Sequence, residues 1–150
     1  MAYIPPIIEI YNYRNLGDIE YEFLTLVNEA RNECNVLPVA WNESLRKIAR
    51  YKSNEMLQYE YFAHKSIYTG HPYELAKNYF NYIYKFYGEN IQMGIGYKDS
   101  SVTAKYLFEG WMKSRDHRAN ILSKNYGKMG VGIAYSDNSK IFYTSQMFSD

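Results

Sequence analysis

The sequence predicts an α+β domain in which helices cover a small antiparallel sheet. Apolar residues recur at helical spacing near residues 19–34, 43–59 and 101–111. Two stretches, residues 129–135 (MGVGIAY) and 141–148 (IFYTSQMF), flank the turn-rich SDNSK and form a hairpin pattern. The order is helices, one strand, a helix, then the hairpin, and 150 residues suffice for one domain with a proper core.

Residues 1–17 form an arm or tether ahead of a single domain at 18–150. Pro5 and Pro6 forbid a helix there, while Ile8 and Ile10 suggest an extended segment. Gly17 and Asp18 read as a stop and an N-cap. In the first helix, about residues 19–34, the expected buried stripe is Phe23, Leu24, Val27, Ala30 and Cys34, with Glu22, Glu29, Arg31 and Glu33 outside it. Residues 35–41 (NVLPVAW) form a connector broken by Pro38. Asn42 caps a second helix, about 43–59, whose stripe is Leu45, Ile48, Ala49 and Met56.

Loop 61–66 (YFAHKS) carries the first histidine, and Pro72 suits the first turn of a third helix through about Phe80. Residues 81–87 fit helix and strand equally. In GENIQMGIG, residues 88–96, a turn leads into a short strand with Ile91, Met93 and Ile95 on one side. Ser100 or Ser101 caps a fourth helix burying Ala104, Leu107, Phe108 and Trp111.

The formal net charge is +1 with no strong basic run, which gives no support to nucleic-acid binding. A single cysteine, Cys34, excludes an intramolecular disulfide. No stretch approaches the ~18 consecutive apolar residues of a membrane span. The first residues lack the basic start and continuous apolar core of a signal peptide, so the chain is either cytosolic or exported with its signal removed. Tyrosine stands out at 18 copies, crowded between Tyr73 and Tyr87. Half-buried rings with wet hydroxyls account for such a run, and an aromatic recognition surface is the sharper alternative.

Chemistry concentrates in residues 110–122 (GWMKSRDHRANIL), where a helical turn would bring Trp111, Ser114 and His117 to one side. The other candidates are His64, His71, Asp116 and Glu89 in its Gly-Glu-Asn setting. No zinc-protease, nucleophile-elbow, phosphate-loop or dinucleotide motif is present. By spacing alone, two distant histidines and a glutamate could simply pin loops together.

Five segments in order carry a resemblance. They are LVNEAR (26–31) with Leu37, Pro38, Trp41 and Leu45; YFAHKS (61–66); GENI (88–91); WMKSRDHRANIL (111–122); and GVGIAY (130–135) with YTSQMF (143–148). Together they resemble the CAP superfamily of cysteine-rich secretory, antigen 5 and pathogenesis-related proteins, also called SCP-like extracellular domains, in its cysteine-poor bacterial branch. The resemblance spans about residues 24–148. It implies a three-layer α-β-α sandwich with about four helices, and a cleft where His64, Glu89 and His117 converge.

In many members that constellation binds a divalent cation such as zinc, with His64 and His117 as the metal ligands here and no cofactor strictly required. Asn90 and Asn120 would tie down their loops, with Ser66 and Ser114 as further cleft support. Ser114 stands where eukaryotic members often carry a second glutamate, which lowers the charge available to a cation. His71 matches no family position and reads as a loop surface residue.

The resemblance implies an exported or surface-displayed, non-enzymatic binding module, secreted or lipid-anchored, for a lipid, sterol or protein partner. One alternative is a zinc-dependent, peptidase-like hydrolase using His64, His117 and Glu89. Another is an inert cleft in which the same residues form only a structural network. The sequence leaves oligomeric state open.

Overall fold

The structure is a computed structural model that describes residues 3–4, 16–96 and 102–150. Helix α1 (Leu16–Glu33) starts earlier than the sequence suggests, so Gly17 and Asp18 lie inside its first turn rather than capping it. Its buried stripe is Leu16, Glu20, Phe23, Val27 and Arg31. Glu20 and Arg31 are therefore buried, Arg31 against the expectation that it lies outside the stripe, and Cys34 lies exposed beyond the helix end. Asn35, at φ 57, turns the chain into the left-handed conformation there.

Each buried charge has compensation. Glu20 accepts from Arg50 Nε at 3.0 Å and from the Ile133 amide at 2.9 Å. Arg31 donates to four main-chain oxygens, of Leu37, Ile121, Ser123 and Tyr126, at 2.7–3.0 Å. Such satisfaction is what makes a buried charge tolerable. Of the expected arm, Ile4 packs against the core cluster of Leu45, Ile48 and Met147, while Pro5, Pro6, Ile8 and Ile10 lie outside the described residues.

The segment expected as a plain connector contains a two-residue strand, β1 (Ala40–Trp41), paired parallel with β3 (Lys128–Ser136). Two residues are too few to show a period-2 pattern. Helix α2 (Glu43–Tyr59) has the expected limits, with Asn42 Oδ1 accepting from the Leu45 amide at 2.9 Å. The expected third helix is split. One α-helical turn, α3 (Pro72–Glu74), opens into a π-helical stretch at Leu75–Tyr79. Residues 81–86 are neither helix nor strand. Strand β2 (Tyr87–Ile95) begins earlier than expected and takes Gly88, Glu89 and Asn90 into the sheet instead of leaving them in a turn.

Ser100 and Ser101, the expected caps, lie outside the described residues. Thr103 caps α4 (Ala104–Met112), its Oγ1 accepting from the Tyr106 amide at 3.2 Å. The chain then breaks at Lys113 and Ser114 and restarts as α5 (Arg115–Ile121), so the expected continuous helical face through Trp111, Ser114 and His117 does not form. The hairpin of β3 and β4 (Ile141–Ser149) follows as expected.

Among the described residues the sheet has four strands in the order β1-β3-β4-β2. The three long strands are antiparallel, as expected, and β1 adds a parallel edge that makes the sheet mixed. Alternation along β3 builds a three-layer sandwich. Met129, Val131, Ile133 and Tyr135 face a core shared with α1, α4 and α5. Gly130 and Gly132 face α2, where a Cβ would sit 2.2 Å from the backbone nitrogens of Arg46 and Arg50 respectively. These glycines let a helix lie against the sheet at main-chain contact.

Two outcomes follow from this packing. Gly132→Ala forces α2 off the sheet, and urea unfolding should show a loss of about 1–3 kcal/mol, the usual range for overpacking. The second concerns Glu43, whose carboxyl accepts from Arg46, Trp41 and Tyr21 and is held at about 2, well below its ordinary 4.5. A depressed folded-state value stabilises the protein above pH ~4.5 and is lost as pH falls toward 2. Between those values, thermal melts of Glu43→Gln should fall less steeply with pH than those of the native protein.

Candidate functional site

The candidate site lies on β2, the edge strand opposite β1. Alternation sends Glu89 and Asn90 to opposite faces. Glu89 pairs across from Met147 on the α2 side, while Asn90 pairs across from Gln146 on the other. Two consecutive residues can thus hold elements from both outer layers.

On the α2 side, Glu89 Oε1 meets His64 Nδ1 at 2.8 Å. The carboxylate side chain is 2% exposed and the imidazole 56%, so the acid forms the floor of a cleft and the ring its rim. Burial raises the Glu89 carboxyl above its usual range, against the lowering effect of the His64 bond. The same bond raises His64, while burial opposes it. Glu89 Oε2 is buried without a hydrogen-bond partner.

The loop bearing His64 is braced from beneath. Lys52 Nζ, on α2, donates to the His64 carbonyl at 2.7 Å and lies 5.0 Å from the Tyr61 ring centroid. Glu55, one turn on, accepts from the Tyr61 hydroxyl and from Thr69 Oγ1. Burial lowers the Lys52 ammonium, and nearby Glu89 and Glu55 oppose that shift. Ser66 Oγ accepts from the amides of Tyr68 and Thr69 at 3.0 and 3.2 Å, closing the turn after His64.

Lys52 and Glu55 are absent from the residues the sequence singled out, although both are fully buried. A signal for Lys52 exists: it falls on the run 45, 48, 49, 52, 56, where an apolar side chain is due.

On the other face, Asn90 Nδ2 donates to the His117 carbonyl and to Gln146 Oε1, both at 3.1 Å. Asn120 Nδ2 donates to Asn90 Oδ1 at 2.9 Å and to the Glu89 carbonyl at 3.2 Å. Trp111 Nε1 donates to the Ile91 carbonyl at 3.1 Å. Side chains from α4 and α5 thereby satisfy alternate carbonyls of β2 and anchor His117 beside it. The His117 ring forms no hydrogen bond among the described residues. Burial lowers its pKa, and the charge of His64 lowers it further.

The expected residues therefore divide. His64 and Glu89 are in direct contact, Asn90 holds the main chain of α5 while Asn120, from α5, holds that of β2, and His117 is close enough to feel the charge of His64. Ser66 shapes the His64 loop. Ser114 is the N-cap residue of α5, makes no side-chain cap bond, and receives the Arg118 amide on its carbonyl at 2.9 Å. His71 lies apart at the start of α3, bonded to Glu74 at 2.7 Å and stacked on Tyr73. Among the described residues no three His, Cys, Asp or Glu side chains gather as a metal-holding group.

The profile of the cysteine-rich secretory protein (CAP) family matches residues 24–148, and the chain belongs to that family. It is 36% identical over 117 residues to the uncharacterized protein YkwD of Bacillus subtilis (strain 168), covering 78% of this chain and 43% of that protein. It thus spans less than half the length of the curated relatives it matches. Among solved structures, an extracellular SCP-domain protein from Bacillus anthracis str. Ames superposes with TM-score 0.73 at 24% identity, over 89% of this chain and 41% of the other. An outer surface protein from Borrelia burgdorferi superposes with TM-score 0.74 at 14% identity, over 97% and 98%. The structure of NaASP2 with Zn2+ superposes with TM-score 0.63 at 14% identity, over 87% and 78%.

Asn90 is the joint between the two walls. Asn90→Ala should lower stability by roughly 2–3 kcal/mol, because it leaves the buried Gln146 Oε1 without this donor. The His117 ring resonance in a proton–nitrogen spectrum should broaden or move, while the exposed His71 resonance stays in place.

Proposed function

We propose that the chain is an extracellular, non-enzymatic binding module whose cleft of His64, Glu89 and His117 accepts a divalent cation or the polar end of a ligand. The observation that supports this most is the His64–Glu89 contact. A carboxylate on Nδ1 orients the ring and leaves Nε2 free to ligate, the arrangement that sits behind metal-bound histidines. His117, lowered by burial, offers a neutral imidazole.

Two imidazoles over a buried carboxylate suit a weakly held cation with open positions, not a closed structural zinc site. Bound there, a zinc ion would supply an electrophilic point for an oxygen of the ligand, and Glu89 would keep His64 oriented. The NaASP2 structure with Zn2+ supports testing zinc first. Extracellular placement is supported by the descriptions of the Bacillus anthracis and Borrelia burgdorferi structures. Within this reading a lipid, sterol or protein remains the partner class.

Zinc titration by calorimetry tests the cleft. The native chain should release binding heat that His64→Ala and His117→Ala each abolish. Absence of heat from the native chain would sink the cation reading and leave the network as loop bracing. Cleavage of a peptide library with zinc present, lost in Glu89→Gln, would instead favour the hydrolase alternative.

A further inference from the structure

We propose that a cavity apart from the cleft binds a small organic carboxylate, its acid held by Arg31 and Lys124 and its apolar body by Leu37, Pro38 and Tyr126. The cavity measures about 440 Å³, within the range of small-molecule sites. The end of α1, the connector into β1, the loop between α5 and β3, and the residue after β4 meet around it. None of His64, Glu89 and His117 lines it, so the assignment rests on neither the cleft nor its ligand.

Arg31 is the anchor. It lines the cavity although its side chain is almost wholly withdrawn from solvent, at 1% exposure. Four of its five N–H groups donate to main-chain oxygens: Nε to Leu37, Nη1 to Ile121 and Ser123, and Nη2 to Tyr126. The second Nη2 hydrogen has no partner among the described residues. Carbonyls solvate the guanidinium without neutralising it. Burial alone lowers its pKa, so no acid stands near enough to balance the charge. A buried cation with a donor to spare suits an anion.

The rest of the lining narrows the ligand. Lys124 is exposed and forms no ion pair among the described residues, which makes it a second cation free to reach the same acid. Asp150 also lines the cavity. Its side-chain carboxylate is turned onto the amides of Lys85 and Phe86, at 2.8 and 2.9 Å, and Lys128 lies near it. It is therefore engaged away from Arg31.

The remaining wall is apolar. Leu37 is 83% exposed, a large aliphatic side chain otherwise left in water. Pro38 beside it has a fixed φ. Tyr126 stacks on Phe148 with ring centroids 5.3 Å apart, and its hydroxyl lies against Gly88, where a Cβ has no room. A stiff apolar wall beside a buried cation favours an acid that carries a compact apolar group, because little ordering is left to do on binding. Inorganic phosphate would leave that wall in water.

Proton–nitrogen NMR titration of the 150-residue chain with hydrocinnamate tests the assignment. The amides of Leu37, Asn125 and Gly127 should shift saturably. Hydrocinnamamide, the neutral counterpart, should bind about tenfold more weakly, through loss of the charge-assisted bonds. Lys124→Gln should weaken hydrocinnamate about threefold, and Leu37→Asp about tenfold or more. Both side chains are exposed, so the thermal melt should not move; Arg31 stays intact because its carbonyl bonds hold the fold. The proposal is overturned if hydrocinnamate gives no saturable shifts, if the amide binds as tightly as the acid, or if Leu37→Asp binds like the native chain. Shifts confined to the residues around His64 and Glu89 overturn it too, since the acid then belongs to the cleft. Inorganic phosphate binding as tightly as hydrocinnamate would equally overturn the choice of ligand.

Discussion

The open edge of β2 is the constraint on which the rest of the structure depends. An edge strand presents unpaired carbonyls, and here Trp111 and Asn120 occupy two alternate ones. The same nine-residue strand pairs with β4 along its whole length. Its central residues must therefore serve the sheet, the α2 layer through Glu89 and the α5 layer through Asn90. The cleft is a by-product of closing that edge with helix side chains. This explains why hydrogen bonds to main-chain atoms outnumber direct contacts between its functional groups.

The parts of the fold written in repeated patterns were legible from sequence. Alternation in residues 129–135 and 141–148 marks the hairpin, and Asn42 with the stripe of Leu45, Ile48, Ala49 and Met56 locates α2. What failed to show were places where tertiary partners override local preference. Glu20, Lys52 and Glu55 are buried on helix faces that otherwise carry apolar side chains, and Arg31, expected outside the stripe, is buried with them. Their compensation comes from Arg50 and Ile133, from main-chain oxygens, from His64 and from Tyr61 and Thr69, none of which a local pattern reveals. Strand β1 was invisible because its pairing depends on a partner more than eighty residues away.

The candidate site was legible as a set of residues rather than as a geometry. The resemblance carried by the segments around His64, Glu89 and His117 implied convergence, and His64 and Glu89 are in direct contact. The break between α4 and α5 was hidden, since residues 110–122 carry no proline to announce it. That break removes Ser114 from a shared helical face with His117 and makes it the residue that opens the new helix.

The hydrogen bond from Ile133 to Glu20 joins residues 113 positions apart, and that from Arg31 to Ile121 spans 90. Among the described residues, strand β2 has no partner in the sheet except β4, the last element of the domain. During synthesis, α1 and α2 emerge with buried charges still unmatched, and β2 waits for β4. Closing such distant contacts is slow and comes late. The domain consequently closes as one event, which waits for β4.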